Sequence, residues 1–328
     1  MFTNYSMDDI IDPVLRNRGQ EIHLTIGYHI GEVSHLDQER RKAVRRMQVY
    51  IRENIDQEIT LTSLARVAAY SPWHASRIFK ELTGKPAFDY IRALRLTLAA
   101  KRLRDSHDKV VDVAMDFLFD SHEGFTRAFA SRFDITPKAY QKHPVPIQYF
   151  TPYDVLINTK KKRGEKMEKT NTIFVQIMDR PKRKAIIRRG IKATEYFAYC
   201  EEVGCDIWGV LSSVKEALHE PIGMWLGKSL QKEGTSMYVQ GVEVPFDYAG
   251  EVPNDCELID LKETKVIVFQ GEPYDDDNFE EEIGKVMAAV AEFNPRVYGY
   301  EYDEDGYRFQ FAPEGYRGYI EGRTVIKL

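Results

Sequence analysis

Two helix-turn-helix patterns follow one another between about residues 56 and 142, and that repetition restricts this part of the chain to an all-α fold. The first runs IDQEITLTSLARVAAYSPWHASRIFKELTG, from Ile55 to Gly84. The second runs VVDVAMDFLFDSHEGFTRAFASRFDITPKAY, from Val110 to Tyr140. In each, an apolar helix leads through a short turn into a second helix whose polar residues share one face. A helix that enters a DNA major groove needs this separation of a packed face from a reading face.

The residues assign themselves to those faces by spacing. Glu39 to Asn54 reads as an opening helix, with Val44, Met47 and Ile51 as its buried stripe. Thr60 caps the next helix, where Leu64, Ala65 and Ala68 turn inward. Ser71 and Pro72 start the first reading helix, with Ile78, Phe79 and Leu82 as its core. Trp73, Ser76, Arg77 and Lys80 fall at i, i+3, i+4 and i+7 and share its outer face. Arg77 suits guanine N7/O6 or a phosphate, Ser76 suits either role, and Lys80 suits the backbone. A long helix from Pro86 to about Asp105 acts as a rigid spacer, with Tyr90, Leu94, Leu98 and Leu103 among its apolar positions. Its arginines fit a solvated face or phosphate contacts equally well. In the second unit Val111, Val113, Ala114 and Phe117 build the supporting helix, Ser121 caps the reading helix, and Phe125 and Phe129 anchor it. His122, Glu123, Thr126 and Arg127 face outward; Glu123 can accept from cytosine N4 but repels phosphate.

Charge divides the chain in the same place. Residues 41–142 carry 19 Lys and Arg against 12 Asp and Glu, a net of +7, whereas residues 171–328 carry 18 against 29, a net of -11. A phosphate backbone attracts the first part and repels the second. Four segments follow: an extension (1–40) of no assignable role, a DNA-reading unit (41–142), a connector (143–170) and a second domain (171–328). Within the extension, residues 21–33 have some strand character. The connector's prolines and the Lys161–Arg163 run disfavour a packed interior. No segment approaches the ~18 consecutive apolar residues of a membrane span, and the N-terminus lacks the basic start and apolar stretch of a signal peptide. Cys200, Cys205 and Cys256 lack metal-site spacing and fit a reducing cytoplasm, with Cys200 and Cys205 close enough to pair but read as two incidental thiols.

In the second domain, strand-like pieces at 173–178, 185–190, 236–244, 256–261, 264–271, 298–302 and 307–312 are interspersed with helix-like pieces at 205–220 and 275–293. This predicts an α+β fold with an antiparallel sheet. The acids Asp275–Asp277 and Glu280–Glu282 suit a helix N-terminus better than a metal site. Trp208, Trp225, Tyr238, Phe246 and Tyr300 offer flat walls, and Glu243 sits in the apolar run YVQGVEVPF. A carboxylate among aromatics suits a hydrophobic cation. Alternation puts Tyr238, Gln240, Val242 and Val244 on one face and Val239, Gly241 and Glu243 on the other. Neither a nucleophile–base pair nor a cofactor or metal signature is present, so the reading is not that of an enzyme.

Residues 47–142 resemble the DNA-binding domain of the AraC/XylS family of bacterial regulators. The resemblance rests on SLARVAAYSPWHASRIFKELTGKPAFDYIRALRLTLAAKRL and on DVAMDFLFDSHEGFTRAFASRFDITPKAYQK, closing with Phe133, Thr136, Pro137 and Tyr140. It implies that Trp73, Ser76 and Arg77 face bases in one major groove and His122, Glu123 and Arg127 in the next. Leu118 and Asp134 stand where the family usually has glycine. Residues 171–328 resemble the GyrI-like effector-binding domains, through GVLSSV, GMWLG and YVQGVEV followed by VPNDCELIDLKETKVIVFQG. That implies two pseudo-repeated β-α-β-β units around a ligand cleft, with Glu243 in a ligand role; the C-terminal YRFQFAPEGYRGYIEGRTVIKL departs from the usual ending. Together the resemblances imply a cytoplasmic regulator, an activator, that binds double-stranded promoter DNA as a monomer or homodimer. A small hydrophobic or cationic effector would favour one interdomain or RNA polymerase-binding arrangement. The alternatives are a second domain that binds protein partners, and an enzyme acting on the small compound.

Overall fold

The computed structural model describes residues 35–152, 172–275 and 278–328; residues 21–33, the Lys161–Arg163 run and Asp276–Asp277 lie outside them. It has an all-α part followed by an antiparallel sheet with interspersed helices.

The helical part comprises α1 (His35–Glu53), α2 (Leu61–Ala68), α3 (Pro72–Thr83), α4 (Ala87–Asp105), α5 (Val110–Asp116), α6 (His122–Phe133) and α7 (Pro137–Lys142). Hydroxyl caps set four of the starts. Thr60 accepts from the Ser63 N–H in a reciprocal capping box, Ser71 from His74, Ser121 from Gly124 and Thr136 from Ala139. Each helix-turn-helix corner passes through a left-handed residue, Ala69 in the first and Leu118 in the second, both at φ 59°. The reading helices end alike, on Gly84 at φ 72° and Asp134 at φ 59°. The departures, Leu118 and Asp134 in place of glycine, therefore fall at positions where the backbone is left-handed.

The two units have separate cores. Val44, Met47, Ile51, Leu64, Ile78 and Phe79 belong to the first, and Val113, Phe125, Phe129 and Tyr140 to the second. Leu82 is only partly buried, and Val111, expected in the supporting helix's core, is exposed. Helix α4 serves both cores: Tyr90 and Ile91 enter the first, and Leu96, Ala99, Ala100 and Leu103 the second. Its buried side moves around the axis between them: of the positions expected to be apolar, Tyr90 and Leu103 are buried, Leu94 packs against the first core and Leu98 is half-buried.

The connector's first residues pack rather than trail. Phe150 donates its N–H to Thr97 Oγ1 at 2.9 Å and sets its ring edge-on to Tyr90 in the first core. Tyr149 is buried in the second core, its hydroxyl 2.9 Å from that of Tyr140. The prolines at 144 and 146 hold this strap extended, which delivers its aromatic side chains into two cores at once.

The second part comprises β1 (Phe174–Arg180), β2 (Arg183–Arg189), α8 (Tyr196–Glu202), α9 (Ile207–Leu211), β3 (Ile222–Trp225), β4 (Tyr238–Pro245), β5 (Glu257–Leu261), β6 (Thr264–Gln270), α10 (Phe279–Glu292), β7 (Tyr300–Tyr302), β8 (Arg308–Phe311) and β9 (Ile320–Lys327). The sheet runs β1-β6-β9-β8-β3-β4-β2-β5, with β7 added to β9 and every pairing antiparallel. The order has an approximate twofold symmetry about the β3–β8 pair. The half β2-β4-β3 mirrors β6-β9-β8, and each half takes its outer strand, β5 or β1, from the sequence preceding the other half. Helices α8 and α9 cover one half around Ile186, Val242 and Val244; α10 covers the other around Ile267, Phe269 and Val325. The opposite face encloses Ile187, Ile222, Met224, Val239, Leu261, Val266 and Phe309 in one cluster. Since Val266 and Leu261 come from opposite ends of the strand order, the sheet is rolled.

Two strands and one helix depart from expectation. β3 is only four residues long and alternates Ile222 and Met224 with Gly223 and Trp225, and β9 carries Glu321, Arg323 and Lys327 at alternate positions, so neither presents the long apolar alternation that marks a strand. The helix expected over 205–220 stops at Leu211, where the Ser213 hydroxyl donates back to the Val210 carbonyl. Cys200 and Cys205 are joined in a disulfide between α8 and α9, which corrects the reading as incidental thiols, and Cys256 is free.

Candidate functional site

In α3 the packing and reading faces separate as the spacing requires. Ala75, Ile78 and Phe79 are buried, while Trp73, Arg77 and Lys80 are exposed and Ser76 is half-buried. Trp73 is 71% exposed, far too open for a core indole. The Arg77 guanidinium stacks 5.0 Å from its ring centroid, and its Nε lies 3.6 Å from Glu81 Oε1. The guanidinium thus lies along the exposed side of the helix between Trp73 and Glu81, the latter also held by Arg40.

In α6 Phe125, Phe129 and Phe133 are buried in a chain of edge-on and tilted aromatic rings that runs from Phe119 to Tyr140. His122, Glu123 and Arg127 are exposed, and Thr126 is half-buried beside them. Glu123 lies in the first turn, where it interacts favourably with the helix N-terminus whatever it meets outside. All eight residues expected to face DNA lie on these two helices, outside the packed faces.

The six residues expected to meet a ligand do not form one pocket. Trp225 and Tyr238 are neighbours on the helix-covered face, ring centroids 4.9 Å apart, and Trp208 packs into the same cluster. Phe246 stands elsewhere, with the Lys182 ammonium 3.8 Å from its ring centroid, and Tyr300 packs against the α10 cluster. Glu243 lies on the opposite face from Tyr238, inside the roll, and is 1% exposed. Its Oε2 accepts from Arg180, from Arg183 Nε at 2.8 Å and from His219 Nε2 at 3.1 Å. Arg183 also donates to the Tyr307 hydroxyl. Burial alone would push the Glu243 carboxyl up, but the His219 and Arg183 hydrogen bonds and the Arg183 and Arg180 charges outweigh it and hold the pKa down at about 2. This carboxylate is committed to arginines that ordinary alternation cannot reveal: Arg180 ends β1, which meets β4 only because the sheet is rolled.

A different set converges between the two helical layers. Register aligns Gln240, Gly223, Gln310 and Glu321 across β4, β3, β8 and β9, and Tyr238, Trp225, Arg308 and Arg323 in the row beside them. A Cβ on Gly223 would stand 2.5 Å from the Tyr238 hydroxyl, so only glycine lets that ring lie over the strand. Gln240 is fully buried, yet its amide has no hydrogen-bond partner of regular geometry, with only the Tyr238 hydroxyl beside it. Glu321, also fully buried, pairs with Arg308 at 3.1 Å and Arg323 at 3.0 Å and accepts from Tyr319 at 3.2 Å. Arg308 in turn stacks 4.1 Å from the Trp225 ring centroid. Glu321, Gln310 and Tyr319 were not singled out from the sequence, since YIEGRT breaks the alternation that would have marked a strand.

The two parts of the molecule touch at α9. Ile147 N–H donates to Ser213 Oγ at 2.8 Å, Gln148 Nε2 to the Asp206 carbonyl at 2.6 Å and Arg104 Nη1 to the Ser212 carbonyl at 2.9 Å. A Cβ on Gly209 would stand 2.2 Å from the Tyr149 carbonyl oxygen, so α9 lies directly on the strap. Among the described residues no helix is long and apolar enough to cross a membrane, and no group of three or more His, Cys, Asp or Glu is placed to hold a metal.

The comparisons with known proteins bear on the helical part. A family model described as a helix-turn-helix domain matches residues 64–143. The Right origin-binding protein of Escherichia coli K12 is 39% identical over 101 residues, 31% of this chain and 35% of that protein. This chain therefore matches only about a third of that relative's length. The Tn10 TetD protein of Escherichia coli is 37% identical over 100 residues, 30% of this chain and 72% of its own. Regulatory protein SoxS of Escherichia coli K12 is 37% identical over 101 residues, 31% of this chain and 94% of its own. The first of these relatives is named for origin binding and the third for regulation. Through its tandem helix-turn-helix region, the chain belongs to the family of AraC/XylS-type DNA-binding proteins.

Proposed function

We propose that this protein is a sequence-specific transcription regulator, an activator, which binds promoter DNA through residues 41–142 and answers to a small molecule held by residues 171–328. The observation that carries the reading is the pair of exposed faces, Trp73–Ser76–Arg77–Lys80 and His122–Glu123–Thr126–Arg127, on two capped helices rigidly joined through α4. In this reading Arg77 and Arg127 read bases, and Lys80 holds backbone.

The effector site is the strip between the helical layers. The unsatisfied Gln240 amide, the Tyr238 hydroxyl and the Trp225 face offer hydrogen bonds and a flat wall to a small hydrophobic molecule. A cationic one reaches Glu321 only by displacing Arg308 or Arg323. Occupancy would act on the reader through α9, whose backbone rests on the strap shared by both reading units. For regulation the effector must bind one arrangement of that contact better than another. Any RNA polymerase contact would respond to the same change.

Binding of labelled duplexes by the full chain, with and without a library of apolar and cationic compounds, tests both halves of this reading. A compound that changes promoter affinity in the wild type and not in Gln240→Leu supports it; compounds that bind without altering affinity count against it. One observation favours a second reading: β1 is an edge strand whose Phe174, Val175, Ile177 and Met178 are all exposed. Such an edge suits a protein partner better than a small molecule.

A further inference from the structure

Several arginines of the helical part are committed to the fold. Arg40 pairs with Asp37 and Glu81. Arg46 donates to the Val67 and Ala68 carbonyls, and Arg95 to those of Ile55 and Gln57. Arg102 pairs with Asp108 and Asp116, and Arg104 with Asp105 and the Ser212 carbonyl. These cap helix ends and tie corners together. Arg92 and Arg127 have no hydrogen bond or ion pair among the described residues, and Arg132 only flanks the Phe133 ring, 5.7 Å from its centroid.

These three guanidiniums are neighbours. With Asp89, Gly124 and Ser131 they line a cleft of about 510 Å³ between α4 and α6. Three arginines against one aspartate leave the cleft cationic, and Ser131 adds a hydroxyl donor. Arg127 belongs both to this cleft and to the outward face of α6. The cleft therefore adjoins the reading surface and lies on its α4 side, toward the first unit. A duplex that places α3 and α6 in successive major grooves must carry a backbone strand past α4 between them.

We propose that this cleft seats a phosphodiester of that intervening strand, with Arg92 and Arg132 holding its oxygens and Arg127 shared between the seat and the base edge. The proposal rests on the reading of residues 41–142 as a DNA reader. It assigns the one free arginine of α4 flanking the cleft to DNA, and it leaves that helix's committed arginines to the fold. Arginine suits the seat because its fork can meet two phosphate oxygens at once. The guanidiniums act here on every sequence alike, so the seat adds affinity and phase, not selectivity.

The test compares the full-length wild type with Arg92→Ala/Arg132→Ala on a matched and a shuffled duplex, across a salt titration. Each lost phosphate contact makes the slope of log affinity against log salt shallower by about 0.9, so the double variant should lose about 1.8. The loss should be equal on both duplexes, and Arg92→Lys/Arg132→Lys should recover part of it. Arg77→Ala, run in parallel, should lose affinity on the matched duplex more than on the shuffled one. An unchanged slope in a double variant that melts like the wild type, with Arg77→Ala still selective, overturns the seat and keeps the reader. If Arg77→Ala and Arg127→Ala also leave matched binding intact, the DNA reading itself fails. A double variant that weakens binding of inorganic phosphate but keeps the duplex slope assigns the cleft to free phosphate and overturns the proposal.

Discussion

The helical part and the sheet part use arginine in opposite ways. In the reader, arginines cap helix ends on carbonyl oxygens, as Arg46 and Arg95 do, pair with exposed acids, as Arg102 does with Asp108 and Asp116, or stand exposed, as Arg77 and Arg127 do. In the sheet they neutralise buried acids: Arg180 and Arg183 converge on Glu243, and Arg308 and Arg323 on Glu321. Net charge alone hides this. The sheet's excess of acid describes its surface, whereas its two most buried carboxylates are already paired. A positive surface with free guanidiniums is prepared for an external anion; an acidic domain with its inner carboxylates paired is not thereby prepared for a cation.

The largest expected effect tests the buried half of that contrast. Glu243→Ala strands Arg183, which is 1% exposed, and should cost about 3–5 kcal/mol of stability in denaturant melts. The exposed Glu123→Ala should stay within about 0.5 kcal/mol. Similar values for the two would erase the distinction between the domains.

Acid should separate them as well. The Glu243 pKa is depressed, so its contribution is fully present above the unfolded value of about 4.5 and is lost as pH falls through about 2. On the order of 3 kcal/mol should disappear across that window, by the equivalence of one pKa unit to about 1.4 kcal/mol. Unfolding midpoints measured between pH 5 and 2 check this, and the slope should be shallower in Glu243→Gln by the Glu243 share, with the remainder left to other depressed carboxyls such as Asp105 and Glu202.

On the reader side, Arg77→Ala and Arg127→Ala should each weaken binding to the matched site by about 1–3 kcal/mol and relax preference at one base position. Equal losses on matched and shuffled duplexes would reduce either residue to a phosphate contact. The smallest effect separates the two reading units from one another. Leu118 holds φ 59° at the second corner and is 43% exposed, so Leu118→Gly should relieve backbone strain at little packing loss. Against glycine's greater unfolded freedom, a net gain of up to about 1 kcal/mol in thermal stability is expected.

The reading helices were legible because local chemistry and tertiary packing agree there. Ser71 and Ser121 cap them, and Phe79, Phe125 and Phe129 fall where the helical period puts the core. Helix α4 was legible as a helix but only partly in its buried face, with Tyr90 and Leu103 buried as expected and Leu96, Ala99 and Ala100 not foreseen, because two cores claim different sides of it. The strap was missed since prolines signal an open connector, while its Tyr149 and Phe150 are anchored by residues far away in sequence. For Glu243 the alternation gave the correct face. Its surroundings depended on a roll of the sheet that brings β1 to β4, which no local pattern encodes.

The central claim is that α3 and α6 read one continuous site in fixed phase, since α4 and the strap tie both units to one frame. The direct measurement is the affinity of the full chain for a duplex with its two half-sites in phase and for one with about five base pairs, half a helical turn, inserted between them. The fixed frame predicts that the insertion lowers affinity to that of a duplex with one half-site scrambled. Unchanged affinity on the inserted duplex would contradict it.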